Sequence, residues 1–259
     1  MRTFVIGDIH GSYLALKQVI ERSGFNPEVD RIICVGDYVD GWSQSYEVVE
    51  YLIELQKKCN GRNIYILGNH DDWFRDVLEK RHAFAEIDFI RANFIHWWSQ
   101  GGAATYKSYA KQTGPDLTRH YREFYSKLVP YHLEEDDEVL YVHAGFFYRM
   151  GFKETLKLKP FELWWDRSLY ERAKHLWHLE QRGAELRTET RRLGDFDRIY
   201  IGHTTTVSDD IFEPVEMCNV VNLDQGCGYY GKLTIWEHGT DKYWQSDRCL
   251  DLYPNETGR

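Results

Sequence analysis

Three short apolar runs in the first seventy-odd residues each end in glycine followed by a side chain able to hold a divalent ion. Thr3-Phe4-Val5-Ile6 leads into Gly7-Asp8-Ile9-His10-Gly11, and Arg31-Ile32-Ile33-Cys34-Val35 into Gly36-Asp37-Tyr38-Val39-Asp40-Gly41. Asn63-Ile64-Tyr65-Ile66-Leu67 leads into Gly68-Asn69-His70-Asp71. Carboxylate, amide and imidazole together suit borderline ions such as Mn²⁺, Fe²⁺ or Zn²⁺, whereas all-oxygen sets suit Mg²⁺ and Ca²⁺. A single Gly-Asp after a strand is usually a turn whose carboxylate accepts backbone amides. Three strands that each end in glycine and a possible ligand point to one shared site, because open α/β sheets gather their active residues at the C-terminal ends of strands.

The segments between these motifs read as the helices that would position them. Leu14, Leu16, Val19 and Ile20 fall near one helical face between Gly11 and Gly24. Val48, Val49, Leu52, Ile53 and Leu55 make a second apolar stripe, with Ser43 or Ser45 as the expected N-cap and Asn60-Gly61 as the stop. A β-α-β-α-β order implies parallel strands joined by right-handed crossovers. From Asp72 to about Val129 the pattern turns helical and aromatic, with Trp73, Phe74, Phe84, Phe89, Phe94, Trp97, Trp98, Tyr106, Tyr109, Tyr121, Phe124 and Tyr125. Two readings stand for these rings: the core of a helical subdomain, or a core with one or two rings lining a substrate cleft.

Further on, Glu138–Val142 reads as a strand delivering His143, and Asp197–Ile201 as one delivering His203. A helical stretch over about 160–193 separates them. The tail alternates in the manner of antiparallel strands at Asn219–Leu223, Lys232–Glu237 and Lys242–Gln245.

The motif series resembles the calcineurin-like metallophosphoesterases, and within them the phosphoprotein-phosphatase branch with its bacterial and phage serine/threonine phosphatases. The resemblance rests on Asp8 and His10, Asp37 and Asp40, Asn69 to Asp71, His143 in Val142-His143-Ala144-Gly145, and His203 in Gly202-His203-Thr204. It implies an α/β fold, a β-sandwich of mixed sheets flanked by helices, with the 72–129 region as a helical aromatic-rich insertion in one domain of 259 residues. It also implies a phosphoric monoester hydrolase in which Asp8, His10 and Asp37 hold one divalent ion and Asp37, Asn69, His143 and His203 hold a second. Mn²⁺ is the expected metal, with Fe or Zn as alternatives, and a hydroxide between the ions is the nucleophile. His70 becomes the acid that protonates the leaving oxygen, and Asp40 its carboxylate partner.

One position departs from the pattern. Protein phosphatases of this branch carry a phosphate-gripping arginine where this chain has Gly41. Trp165-Asp166-Arg167 resembles a second arginine segment of the family, so Arg167 is the expected substrate-binding cation alongside Asn69. The segment Asn222–Gly228 resembles the family's late Asp-x-Gly-Cys loop, which makes Tyr229 or Tyr230 a candidate substrate contact. The expected substrate is a phosphoprotein or a nucleotide. A symmetrical dinucleoside tetraphosphate hydrolase is the alternative to a serine/threonine phosphatase, and a non-catalytic binder of the same fold is a third reading. Asp40 argues against the symmetrical hydrolase, and the missing arginine argues for a non-protein substrate.

Composition narrows the partners. A formal net charge of -9 is unsuited to coating nucleic acid. Five scattered cysteines without a Cys-x-x-Cys pair suggest reduced thiols. The first strand starts at once, and no apolar run approaches the roughly 18 residues of a membrane span, so the expected address is cytoplasmic. Nothing in the pattern bears on oligomeric state.

Overall fold

The computed structural model describes residues 1–79, 87–134, 136 and 138–259. The alternating first third forms β1 (Thr3–Ile6), α1 (Tyr13–Arg22), β2 (Arg31–Cys34), α2 (Ser45–Lys58) and β3 (Ile64–Tyr65). The three strands are parallel, with Thr3 opposite Arg31 and Ile33 opposite Ile64. Leu16 and Val19 of α1, and Val48, Val49 and Leu52 of α2, are buried against the sheet, each such side chain contributing roughly 1.5–3 kcal/mol by leaving water. Asn60 and Gly61 end α2 with φ of 50° and 77°. Neither serine caps α2: Ser45 is its first residue, with Oγ 2.9 Å from Thr105 Oγ1, and Ser43 Oγ donates to Glu256 Oε1 at 2.6 Å.

The aromatic region is helical where it is described. It comprises α3 (Asn69–Glu79), α4 (Ile87–Asn93), α5 (Ile95–Trp97), a wide turn over Trp98–Gly102, α6 (Ala103–Tyr109) and α7 (Gly114–Glu123). Thr113 and Asp116 close a reciprocal capping box at the start of α7. Most of its rings are core. Phe74, Trp97, Tyr109, Phe124 and Tyr125 are buried, and Phe74 touches Trp97, Tyr109 and Tyr125 with ring centroids 4.7–5.7 Å apart. Phe84 lies outside the described residues.

The rest of the chain supplies a second sheet and two strands of the first. In order come β4 (Tyr131–Glu134), β5 (Val139–Val142), α8 (Phe152–Leu158), α9 (Ser168–Gln181), α10 (Thr188–Arg191), β6 (Arg198–Ile201), β7 (Val215–Met217), β8 (Val220–Asn222), β9 (Thr234–Glu237) and β10 (Tyr243–Gln245). The stretch expected to be helical over about 160–193 is broken into a 3₁₀ turn (Pro160–Trp164), α9 and α10. β8 also departs from expectation. It runs parallel to β6 and antiparallel only to β7, whereas β9 is antiparallel to both β1 and β10.

The sheets have the orders β10-β9-β1-β2-β3 and β4-β5-β6-β8-β7. Val5, Ile33, Val35 and Ile66 of the first meet Tyr141, Tyr200, Val221 and Leu223 of the second in the sandwich interior. The outer face of the first sheet packs under α1, α2 and the aromatic helices, and that of the second under α9. The result is a mixed α/β sandwich flanked by helices. Among the described residues no helix is long and apolar enough to cross a membrane.

Candidate active site

Six parallel strands end at one edge of the sandwich, and each delivers a polar group there. Asp8 follows β1, Asp37 follows β2, Asn69 lies just beyond β3, and His143, His203 and Asp224 follow β5, β6 and β8. All six are buried. The loops that carry them are tight: His10, Asp37, Asp40 and His203 have φ of 50°, 54°, 69° and 68°, the sparsely populated left-handed region that non-glycine residues hold only where their surroundings fix them. The neighbouring glycines are needed for contact. A Cβ on Gly68 would stand 2.2 Å from Asp37 Oδ1, and one on Gly202 would stand 1.9 Å from Asp8 Oδ1.

The three imidazoles are oriented alike. His10 Nδ1 meets the carbonyls of Val39 and Asp40 at 3.0 and 2.8 Å, His143 Nδ1 meets Val35 O at 2.8 Å, and His203 Nε2 meets Trp165 O at 3.2 Å. A carbonyl can only accept, so each of these nitrogens carries the proton. In the neutral form of each ring the opposite nitrogen turns a lone pair inward. His10 Nε2 lies 3.5 Å from Asp37 Oδ2 and 3.9 Å from Asp8 Oδ2. His143 Nε2 lies 3.4 Å from Asp37 Oδ1 and 3.1 Å from Asn69 Oδ1, which is also 2.9 Å from His203 Nδ1.

Two groups of ligand atoms therefore converge, Asp8-His10-Asp37 and Asp37-His143-His203, each with its atoms within 4.8 Å of one another and with Asp37 common to both. Such crowding of acceptors calls for positive charge. Asp8 Oδ1 is buried with no hydrogen-bond partner, and burial, together with Asp224 and Asp37, pushes the Asp8 carboxyl far above its usual range. Burial opposes an imidazolium at His143, yet the Asp37 carboxylate raises it. Burial lowers His10 and His203 and keeps them neutral. These residues fit a pair of divalent ions sharing one carboxylate.

Beside the ligands stands a dyad. His70 Nδ1 lies 2.8 Å from Asp40 Oδ2, and both side chains are buried. Burial pushes the His70 imidazole down to about 3 and the Asp40 carboxyl up, because neither charge is solvated. The other Asp40 oxygen accepts from Trp97 Nε1 at 3.0 Å and from Thr105 Oγ1 at 2.7 Å, while the Asp40 amide donates back to Thr105 Oγ1 at 2.8 Å. The aromatic helices thus hold the dyad, a role that their residue types alone did not reveal. Trp73 reaches the cleft itself, edge-on to His70 at 5.1 Å and to Trp165 at 5.0 Å.

Asp71, part of the third motif but given no role there, also acts at the site. Its Oδ2 accepts from the amides of Asp37 and Gly68 at 2.7 and 3.0 Å, and its Oδ1 from that of Tyr38 at 2.9 Å. It ties the second motif to the third. The signal was its place beside Asn69 and His70. Arg167 is exposed at the start of α9, and its charge reaches His70 and His203. Tyr230 is turned to Val207 O, whereas the Tyr229 ring lies under the Arg259 guanidinium at 5.0 Å.

The calcineurin-like phosphoesterase family model matches residues 1–206. The chain belongs to that family. A phosphoesterase of this family uses divalent metals, and the two ligand groups above are where this chain could hold them. A symmetrical bis(5'-nucleosyl)-tetraphosphatase of Pseudomonas putida is 24% identical over 302 aligned positions, covering 97% of this chain and 94% of the relative. An asymmetrical bis(5'-nucleosyl)-tetraphosphatase of Anoxybacillus flavithermus is 25% identical, covering 89% and 87%. Among solved structures, a protein described provisionally as a diadenosine tetraphosphatase superposes with a TM-score of 0.57 at 18% identity, covering 94% and 92%. A protein serine/threonine phosphatase of Saccharomyces cerevisiae gives 0.53 at 14% identity, covering 95% and 80%. These two likenesses are ones of fold.

Proposed function

We propose that this phosphoesterase hydrolyses nucleoside polyphosphates, with dinucleoside tetraphosphates as the leading substrate class. The observation that carries the chemistry is the pair of ligand groups sharing Asp37. Full-length similarity to two kinds of bis(5'-nucleosyl)-tetraphosphatase supports the substrate class. That support moves the preferred reading from the serine/threonine phosphatase expected from the motif series to the nucleotide-directed alternative.

Asp8, His10, Asp37, Asn69, His143 and His203 would hold the two ions, Mn²⁺ being the expected pair. When bound, such ions polarise phosphoryl oxygens and lower the pKa of water. The protein's own groups then orient and protonate. His70, which burial alone keeps neutral, would protonate the departing oxygen once the negative charge of a bound phosphate favours its imidazolium. Asp40 fixes its tautomer, and Asp71 holds the loop that presents Asp37. Arg167 is the proposed cation for the outer phosphates. The whole chain is proposed to act as one domain, with the segment 72–129 as an insertion that fixes the dyad.

The His70–Asp40 pair favours a second reading. A departing phosphate with a second pKa near 6 needs little help from an acid, whereas a serine alkoxide needs a proton. A retained dyad suits a phosphomonoester. The test is one panel assayed with Mn²⁺ and with EDTA: diadenosine tetraphosphate, a phosphoserine peptide and p-nitrophenyl phosphate. Chromatography of the first reaction separates two ADP from ATP plus AMP. Turnover of the dinucleotide well above the phosphopeptide supports the proposal, and the reverse order replaces it with the second reading.

A further inference from the structure

Position 41 is a glycine with no side chain to offer, and the structure places a guanidinium beside it. The last residues of the sequence fold back over the loop that follows Asp40. Glu256 accepts from the Ser43 amide at 2.9 Å and from Ser43 Oγ at 2.6 Å. Tyr253 stacks on Trp42 with centroids 5.0 Å apart. Gly258 has φ of 71°, and a Cβ there would stand 2.6 Å from Gly228 O. The Arg259 amide donates to the same carbonyl at 2.8 Å. This path carries the Arg259 side chain over the Tyr229 ring until Nη1 lies 3.1 Å from His10 Nε2, the nitrogen turned toward Asp8 and Asp37. Its charge acts on Asp8, Asp40, His70 and Asp224 together.

We infer that Arg259 is a substrate-phosphate-binding residue, supplying from the tail the guanidinium that position 41 does not. The inference rests on the phosphoesterase reading above. A guanidinium carries five N–H donors and accepts nothing, yet Arg259 Nε is buried with no hydrogen-bond partner. The one donor that meets His10 Nε2 is released when that nitrogen takes an ion, so the fork stands beside the ligand cluster with donors to offer to phosphoryl oxygens, its natural acceptors. An open cleft of about 540 Å³ continues from Arg259 and Gly258 past Gly41 and Gly101 to Lys107 and Trp98. It offers a second cation and a ring for the outer phosphates and base of a nucleotide. An arginine at position 41 would crowd this arrangement: Gly41 has φ of 135°, and its Cβ would stand 3.0 Å from His10 O.

The test uses inorganic phosphate as the probe, so it does not depend on which ester is the true substrate. Calorimetry of phosphate binding to Mn²⁺-loaded wild type, Arg259→Ala and Arg259→Lys is run beside elemental analysis of bound metal. Arg259→Ala is expected to weaken phosphate binding by about 10–100-fold with metal content unchanged, the range of a lost charge-assisted contact. Arg259→Lys keeps the charge without the planar fork and should recover part of the loss. Ser43→Ala, which loosens the Glu256 clasp, should weaken phosphate binding by about 2–5-fold with metal content unchanged. Phosphate affinity unchanged in both Arg259 variants would overturn the inference, as would a rise in bound metal in Arg259→Ala with phosphate affinity undiminished, which would make Arg259 a stopper on the metal site. If phosphate binding falls as expected while no nucleoside polyphosphate is cleaved, the substrate reading fails and the Arg259 assignment stands.

Discussion

The ligand edge and the ring of groups around it are built in different ways. Each ligand sits within a few residues of a strand end and is placed by that strand, so moving one requires moving a sheet. The dyad and the tail arginine are placed by contacts between distant parts of the chain. Asp40 is held by Trp97 and Thr105, 57 and 65 residues away, and Arg259 reaches His10 across 249 residues. In this chain the centre is local and the accessories are remote. Substitutions at the centre should therefore abolish a function, while those in the ring should grade it.

The largest effect is expected at the residue common to both ligand groups. Asp37→Asn should remove turnover altogether while far-UV circular dichroism stays that of the folded protein. Appreciable turnover in this variant would break the distinction between centre and ring.

Next comes the dyad. His70→Asn should cut kcat by about 10²–10⁴ with bound metal unchanged. The loss should be smaller for p-nitrophenyl phosphate than for a phosphoserine peptide, because a good leaving group hardly needs the proton. Equal losses on both would argue against an acid at His70.

The ring sharpens the contrast further. Thr105→Val and Trp97→Phe each take one donor from a buried carboxylate, at a stability cost of roughly 1–3 kcal/mol. Each should lower kcat several-fold, leave metal content alone, and add little to His70→Asn, since they act through the same pair. Full additivity in the double variants would place these residues outside the dyad's work.

These same distances explain what the sequence disclosed. Asp8, Asp37 and Asn69 were legible because a strand followed by glycine and a possible ligand is a short pattern, His10, His143 and His203 because the motif series resembles a family, and the folded edge brings all six together. The β-α-β-α-β start was legible for the same reason, its alternation being local. β4 and β7 were not anticipated. They are edge strands of four and three residues whose side chains are mostly half-exposed, so they carry no strong alternation. The pairing of β8 was misread because periodicity reports a strand and says nothing of its direction. The clamp of Trp97 and Thr105 was hidden among rings that mostly do pack as core. Arg259 lies outside any motif, and only the folded tail brings it to the site.

The smallest effect is expected far from both regions. Asp30 accepts from the Arg2 guanidinium at 2.6 and 3.2 Å and from the Asn26 amide at 3.0 Å. Burial would raise its carboxyl, but these partners hold it below the ordinary value. Its contribution to stability is therefore full above the unfolded value near 3.9 and is lost as pH falls through the lower folded value. Asp30→Asn should cost about 1 kcal/mol at pH 7 in urea unfolding and nothing in kcat/KM. A change in kcat/KM would mean that this carboxylate communicates with the site.

The central claim is that one carboxylate serves two ions, and metal stoichiometry tests it most directly. Wild type, His10→Ala, His203→Ala and Asp37→Asn would be loaded with Mn²⁺, desalted and subjected to elemental analysis. The account predicts about two ions per chain in wild type, about one in each histidine variant, and well under one in Asp37→Asn. Two ions retained in Asp37→Asn, or a single ion in wild type, would contradict it.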